Sequence, residues 1–129
     1  MAGRPRYDGF VPGQFAIDGY GAGGFTFAGM SHRGSILALP SGIHAWKVAV
    51  FEELSPEALG PVFAEAEGSV ELLLIGTGKE LRPLPRDVRE ALRARSIRFD
   101  PMATTHAVST YNILLEERRK VAAALIATD

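Results

Sequence analysis

From Ser55 onward the chain alternates helix and strand signals three times, and that alternation constrains the fold more than any other feature. Ser55-Pro56-Glu57 has the form of a helix start, with serine as N-cap, proline at the first helical position and glutamate in the first turn. Gly60-Pro61 breaks or restarts that helix, which is expected to end at Gly68. Val70-Glu71-Leu72-Leu73-Leu74-Ile75 follows, apolar enough to be a strand buried on both faces, and Gly76-Thr77-Gly78-Lys79 closes it. Pro83-Leu84-Pro85 opens a second helix whose apolar positions Leu84, Val88, Ala91 and Leu92 share one face. Ile97–Asp100 reads as a short strand ended by Pro101. Thr104 or Thr105 then caps a third helix that buries Ala107, Val108, Tyr111, Leu114 and Leu115. Arg118, Arg119 and Lys120 complement the dipole at its end, and Val121–Ile126 reads as a final central strand. Crossovers repeated in this order put parallel strands side by side with helices on the sheet faces.

The first half reads differently. Phe15–Asp18, Phe25–Phe27, Ser35–Leu39 and Ile43–Val48 are short apolar or alternating runs punctuated by glycine and proline, the pattern of an antiparallel meander. The expected fold is therefore α/β: one compact domain over residues 1–129, with an N-terminal antiparallel meander followed by α-β-α-β-α-β with parallel strands in a mixed sheet. Residues 1–13 are expected to form a poorly ordered arm. Neither repeat nor linker interrupts the chain. At 129 residues it is long enough to bury a core unaided, and the absence of cysteine removes disulfides, thiolate metal sites and a cysteine nucleophile together.

Charge narrows the partners. The net charge of −1 argues against a nucleic-acid binder. Its distribution is uneven: residues 51–81 hold seven acids against Lys79 alone, whereas residues 82–120 hold nine bases against five acids. Such bipolarity suits a protein-facing surface, although solvated helix faces also produce it. No apolar run approaches a membrane-spanning length and the N-terminus lacks a secretory apolar region, so a cytoplasmic location is expected, with peripheral contact at the inner membrane left open.

Motif by motif, chemistry is hard to find. Gly19–Gly24 matches a dinucleotide-binding glycine pattern in letters, but Phe25-Thr26-Phe27 after it is a strand where that motif requires a helix, so a glycine-rich hairpin is expected. Gly76-Thr77-Gly78-Lys79 fails the Walker pattern, which needs glycine at Leu73 and serine or threonine at Glu80. It remains a glycine-rich turn at the carboxyl end of a parallel strand, where open α/β sheets place ligands. Thr104 and Thr105 follow the next strand in the same way. The candidate ligand-binding cleft is thus Gly76, Thr77, Gly78, Lys79, Thr104 and Thr105, able to offer backbone N–H groups, hydroxyls and one ammonium to a small anion, against the simpler reading of tight turns and helix capping. Arg86, Arg89 and Arg93 form a candidate docking face on the second helix, diluted by Asp87 and Glu90. His32, His44 and His106 lie in separate elements without metal-ligand spacing, so no metal is expected. No catalytic constellation and no cofactor site stand out.

The segments Leu73–Gly78, Met102–Ala107 and Thr110-Tyr111-Asn112-Ile113-Leu114, with Glu117, Arg119 and Ala123–Ile126, resemble the Mth-nine-three-eight-like domain family of small proteins. That family includes a mitochondrial complex I assembly factor and the adipogenesis-associated Mth-domain-containing protein. The resemblance implies a compact α/β domain with a mixed sheet, no established enzymatic activity, and assembly work near an inner membrane. Gly76, Thr77, Gly78, Thr105, Ala107, Asn112, Glu117 and Arg119 match the family's motif. Arg118 departs from it, standing where glycine often precedes the arginine, and this changes how the third helix ends.

Two readings follow. The first is a non-enzymatic assembly or interaction module with a protein partner, in a bacterial cytosolic version of the family. The second is a small-anion or metabolite binder, open to being an enzyme, using the cleft above. Nothing in the residues sets the oligomeric state.

Overall fold

A computed structural model describes residues 9–129. Among the described residues there are nine strands and three α-helices, and from residue 55 on they follow the expected α-β-α-β-α-β order. The strands are β1 (Phe10–Pro12), β2 (Gly19–Gly21), β3 (Gly24–Phe27), β4 (Met30–Arg33), β5 (Ser35–Leu39), β6 (Gly42–Trp46), β7 (Leu72–Gly76), β8 (Arg98–Met102) and β9 (Val121–Leu125). The helices are α1 (Gly60–Phe63), α2 (Arg86–Ala94) and α3 (Thr104–Glu116). Ahead of α1 lie two single 3-10 turns; Pro56, not Ser55, holds the N-cap position of the second, and Ser55 Oγ accepts the Ala58 N–H at 3.2 Å.

Six strands make a mixed sheet in the order β1-β6-β5-β9-β7-β8, with β7, β8 and β9 mutually parallel and the others antiparallel. The remaining three, β2-β3-β4, form a separate antiparallel sheet. The meander is therefore divided between two sheets. Alternation along the central strands explains the two cores. Leu37 and Leu39 of β5, Leu73 and Ile75 of β7, and Ala122 and Ala124 of β9 face one side, where Leu59, Val62, Val88 and Leu92 cover them. Ile36, Ala38, Leu74, Val121, Ala123 and Leu125 face the other, against Ala107, Val108 and Tyr111 of α3 and Phe25 and Phe27 of the small sheet. Both connections of the small sheet are two-residue turns, Ala22-Gly23 and Ala28-Gly29, with positive φ at each residue, the geometry that matches strand twist in a tight hairpin. Gly19–Gly24 is a hairpin, as its sequence predicts.

Three expectations need correction. Phe15–Asp18 is not a strand, because side chains of α3 bind its backbone: Tyr111 Oη donates to Phe15 O at 2.9 Å, and Asn112 both accepts the Ile17 N–H and donates to Ile17 O, each at 2.8 Å. Phe10–Pro12, placed in the arm, is the edge strand β1, paired with β6; residues 1–8 lie outside the described residues. Pro101 does not end β8 but sits within it.

Both sheet edges are built to accommodate proline. Arg98 donates its N–H to Glu71 O at 3.0 Å and Thr77 donates to Met102 O at 2.9 Å, so Arg98, Asp100 and Met102 face β7 while Phe99 and Pro101 face away. At the opposite edge Ala45 donates to Gly9 O at 2.7 Å and Gly13 to Ser41 O at 3.0 Å, which leaves Phe10 and Pro12 facing away. Each open edge thus loses an outward N–H to a proline, a device that discourages a further strand from pairing.

Candidate functional site

The parallel register Gly76↔Met102 brings the end of β7 beside the end of β8, so the turn at residues 76–79 and the start of α3 meet as the sequence expects. They meet as a closed latch. Thr104, fully buried, accepts the Gly78 N–H on its Oγ1 at 3.0 Å and donates that hydroxyl to Ile126 O at 2.8 Å. Its own N–H donates to Gly78 O at 2.8 Å. Thr77 Oγ1 donates to Glu80 O at 2.6 Å and accepts the Arg82 N–H at 3.0 Å. Glycine at 76 is required by this approach, since a Cβ there would stand 2.9 Å from both Cα and Oγ1 of Thr104.

The latch takes up three backbone donors of the candidate cleft. The N–H groups of Thr77, Gly78 and Thr104 all have partners inside the protein. Lys79 is exposed, with Nζ 3.6 Å from Asp129 Oδ2. Thr105, also exposed, shares a hydrogen bond between its hydroxyl and that of Tyr20 from the small sheet. Ala103, not Thr104 or Thr105, occupies the N-cap position of α3, and no side chain caps it.

The motif residues further along α3 are structural in their contacts. Ala107 is buried against the sheet, and Asn112 clips Ile17 as described. Glu117 is the C-cap residue, Arg118 has φ 61°, and the N–H groups of Arg118 and Arg119 bond Leu115 O at 2.9 Å and Leu114 O at 3.0 Å. This is a Schellman ending with arginine where glycine is the favoured residue. Burial holds the Tyr111 hydroxyl well above the usual phenol range.

The arginines of α2 make separate contacts. Arg86 pairs with Glu90 at 2.8 Å, Arg93 lies 5.4 Å from the Phe99 ring centroid, and Arg89 keeps its Nε out of solvent. The His44 ring meets that of Phe10 at 4.6 Å between centroids, tilted by 54°, and burial lowers its affinity for a proton despite Glu65 nearby; burial acts the same way on His32. Among the described residues no three His, Asp or Glu side chains gather as a metal site would require.

A second concavity, not anticipated from the residues, lies at the opposite, amino end of the parallel strands. It is a groove of about 540 Å³ between the segment after α1 and the turn after α2. Buried Val62, Val70 and Ile97 and the charged residues Glu67, Glu71, Arg95 and Lys120 line it, with Glu71 donating its N–H to Lys120 O at 2.9 Å on the neighbouring strand. Its one trace in the sequence is the acidic run of residues 51–81 preceding the basic run of 82–120. No helix among the described residues is long and apolar enough to cross a membrane.

The fold, a mixed sheet with three parallel strands and a small second sheet over α3, defines a class of α/β domain to which solved structures are similar. A solution structure from Bordetella pertussis described as a Mth938-like domain has a TM-score of 0.75 and 25% identity, covering 87% of this chain and 85% of that one. A crystal structure described as an outer membrane protein from Bartonella henselae has a TM-score of 0.87 and 47% identity, covering 92% of this chain and 98% of the other. The chain belongs to the family described as a protein of unknown function (DUF498/DUF598), which matches residues 17–126. An uncharacterised protein of Rhodobacter capsulatus is 38% identical, over 95% of this chain and 91% of its own length. The mouse NADH dehydrogenase [ubiquinone] 1 alpha subcomplex assembly factor 3 is 33% identical over 85% of this chain, which spans 59% of the length of that relative.

Proposed function

We propose that the protein is a non-catalytic interaction module that holds partner proteins during assembly of a respiratory NADH dehydrogenase. Similarity to the mouse assembly factor motivates the assignment. The observation that carries the non-catalytic part is the latch. Where open α/β sheets usually bind substrates, the N–H groups of Thr77, Gly78 and Thr104 are bonded within the protein. Those residues then serve to hold α3 against β7 and β9. The reading puts the protein in the cytosol, meeting subunits at the membrane periphery.

Deleting the gene in its own cells and resolving NADH dehydrogenase on native gels tests the proposal. Loss of the assembled enzyme with accumulation of partial complexes, both reversed by re-supplying the gene, is the expected result; an unchanged amount of assembled enzyme overturns it. A small-anion site at the same corner is the competing reading. It would gain support if phosphate or a carboxylate raised the melting temperature of the wild type but not of Thr105→Val.

A further inference from the structure

Both edges of the six-stranded sheet carry a proline at an outward position, whereas β4, an outer strand of the small sheet, has none over Met30–Arg33. The turn Ala28-Gly29 makes Phe27 and Met30 the hydrogen-bonded pair that closes the hairpin. Bonded and unbonded pairs then alternate through Phe25↔His32 and Gly24↔Arg33. Met30 and His32 therefore turn their N–H and C=O groups toward β3, and Gly34, next in phase, donates to Gly23 O at 2.7 Å. Ser31 and Arg33 turn theirs away. Among the described residues no hydrogen bond engages the outward main-chain groups of either one, and no acid pairs with the Arg33 guanidinium. Both residues are exposed, on the face of the small sheet opposite the buried Phe25 and Phe27. That face holds a shallow hollow of about 380 Å³, because Gly19, Gly21 and Gly24 put no side chain on it. The other outer strand, β2, turns only Tyr20 outward.

We propose that β4 takes a further antiparallel strand from a partner protein, an extended segment without proline whose residue opposite Arg33 is Asp or Glu. The inference rests on the interaction-module reading and names the surface that carries it. Ser31 and Arg33 each offer one N–H and one C=O, so two residues of the incoming strand, spaced two apart, exchange four hydrogen bonds with them. Those bonds fix direction and register but are blind to sequence. Charge selects the occupant. A carboxylate directly opposite the unpaired Arg33 guanidinium is favourable, whereas a like charge there is not. A second copy, paired with Ser31 of one β4 opposite Arg33 of the other, leaves both guanidinium groups without a carboxylate. At the edges of the large sheet Pro12 and Pro101 stand where such a strand has to bond; β4 keeps both N–H groups.

Three measurements test the proposal. Amide hydrogen exchange on the free protein should find Ser31 and Arg33 fast and Met30 and His32 slow. Protection of Ser31 and Arg33 in the free protein, or its appearance as the protein concentration rises, shows an edge already covered or paired with a second copy and overturns the proposal. Next, a displayed library of random octapeptides is selected on the wild-type protein. Expected are peptides that share an Asp or Glu, protect both amides, and bind Ser31→Pro about tenfold and Arg33→Glu about fivefold more weakly. N-methylation at either peptide residue facing β4 should abolish binding, and N-methylation at the residue between them should not. Ser31→Pro places at this edge the residue that already guards the other two, and Arg33→Glu keeps the backbone intact should that variant fail to fold. Recovery of no such peptides, or binding indifferent to Arg33→Glu and to N-methylation, overturns the edge. Last, both variants replace the wild-type gene in the cell, with folding checked by circular dichroism. A native-gel defect like that of the deletion strain in either folded variant supports the edge. Normal assembly in both beside a defective deletion strain overturns the edge and leaves the assembly reading standing. A deletion strain without a defect overturns the assembly reading, and the peptide measurement alone then decides the edge.

Discussion

Both long helices end in the same way, and neither ending uses the residue that suits it. After α2 the N–H groups of Ser96 and Ile97 bond Arg93 O and Leu92 O, each at 3.0 Å. After α3 those of Arg118 and Arg119 bond Leu115 O and Leu114 O. Each pair is a Schellman motif, and its left-handed residue is Ser96 at φ 57° or Arg118 at φ 61°. An L-residue in that region costs roughly 1–2 kcal/mol. Glycine avoids that cost, although its greater freedom in the unfolded chain takes back about 0.4–1 kcal/mol. The net gain for Ser96→Gly therefore lies within about 0–1.6 kcal/mol, centred on about 0.8 kcal/mol. Ser96 is exposed and its side chain makes no hydrogen bond, so nothing else is lost. Arg118→Gly gains less, because it also removes a cation from the helix C-terminus, a contribution of about 0.3–1 kcal/mol. With an unfolding entropy of about 2.1 cal/mol/K per residue, a chain of 129 residues shifts its Tm by about 4 °C per kcal/mol. Calorimetry should thus find Ser96→Gly about 2–4 °C more stable than the wild type. Ser96→Ala, which keeps the strained backbone, should gain nothing. A Tm for Ser96→Gly at or below the wild type, or an equal rise for Ser96→Ala, refutes the reasoning.

Asn112→Ala strands both the N–H and the C=O of the buried Ile17, so urea unfolding should show a loss of about 2–3 kcal/mol, with the Ile17 amide exchanging far faster than its neighbours; a loss below half that range means that water replaces the clip. Pro101→Thr restores an outward N–H to the β8 edge, and light scattering should find concentration-dependent association that the wild type lacks, with little change in Tm; a variant no more associated than the wild type refutes the edge argument. His44 binds a proton less readily folded than at its ordinary pKa of 6.5, so the unfolded state takes up more protons as the pH falls. Its contribution to stability is complete above that value and is lost as the pH drops through it. His32 acts with the same sign. Melting temperatures from pH 8 to pH 5 should fall less steeply in His44→Gln, and an identical slope would remove His44 from the account.

The fold was legible wherever the signal was local. The 3.6-residue spacing of Val88 and Leu92, the apolar run of β7 and the glycines between Gly19 and Gly24 each specify their element through a few neighbouring residues, and each element is present. Readings failed where a distant partner intervened. Phe15–Asp18 has the pattern of a strand, yet its backbone groups are taken by Tyr111 and Asn112, nearly a hundred positions away. Pro101 reads as a strand end and Phe10–Pro12 as part of an arm because nothing around them in the chain tells that each proline falls on an outward position of an edge strand.

The candidate site divides along the same line. Composition and residue order by themselves determined that this is an α/β chain without thiol chemistry, that parallel strands follow residue 55, and that the 76–79 turn and the start of α3 lie at strand ends of the same kind. Only the tertiary structure decided whether those two segments face an open cleft or bond to each other, because that depends on Thr104 reaching both Gly78 and Ile126 across neighbouring strands. It also decided that acidic and basic segments, remote in the chain, line one groove without pairing. Helical periodicity and turn preference act over a few residues, whereas a hydrogen-bonded latch or a charged groove depends on which surfaces the packed sheet brings together.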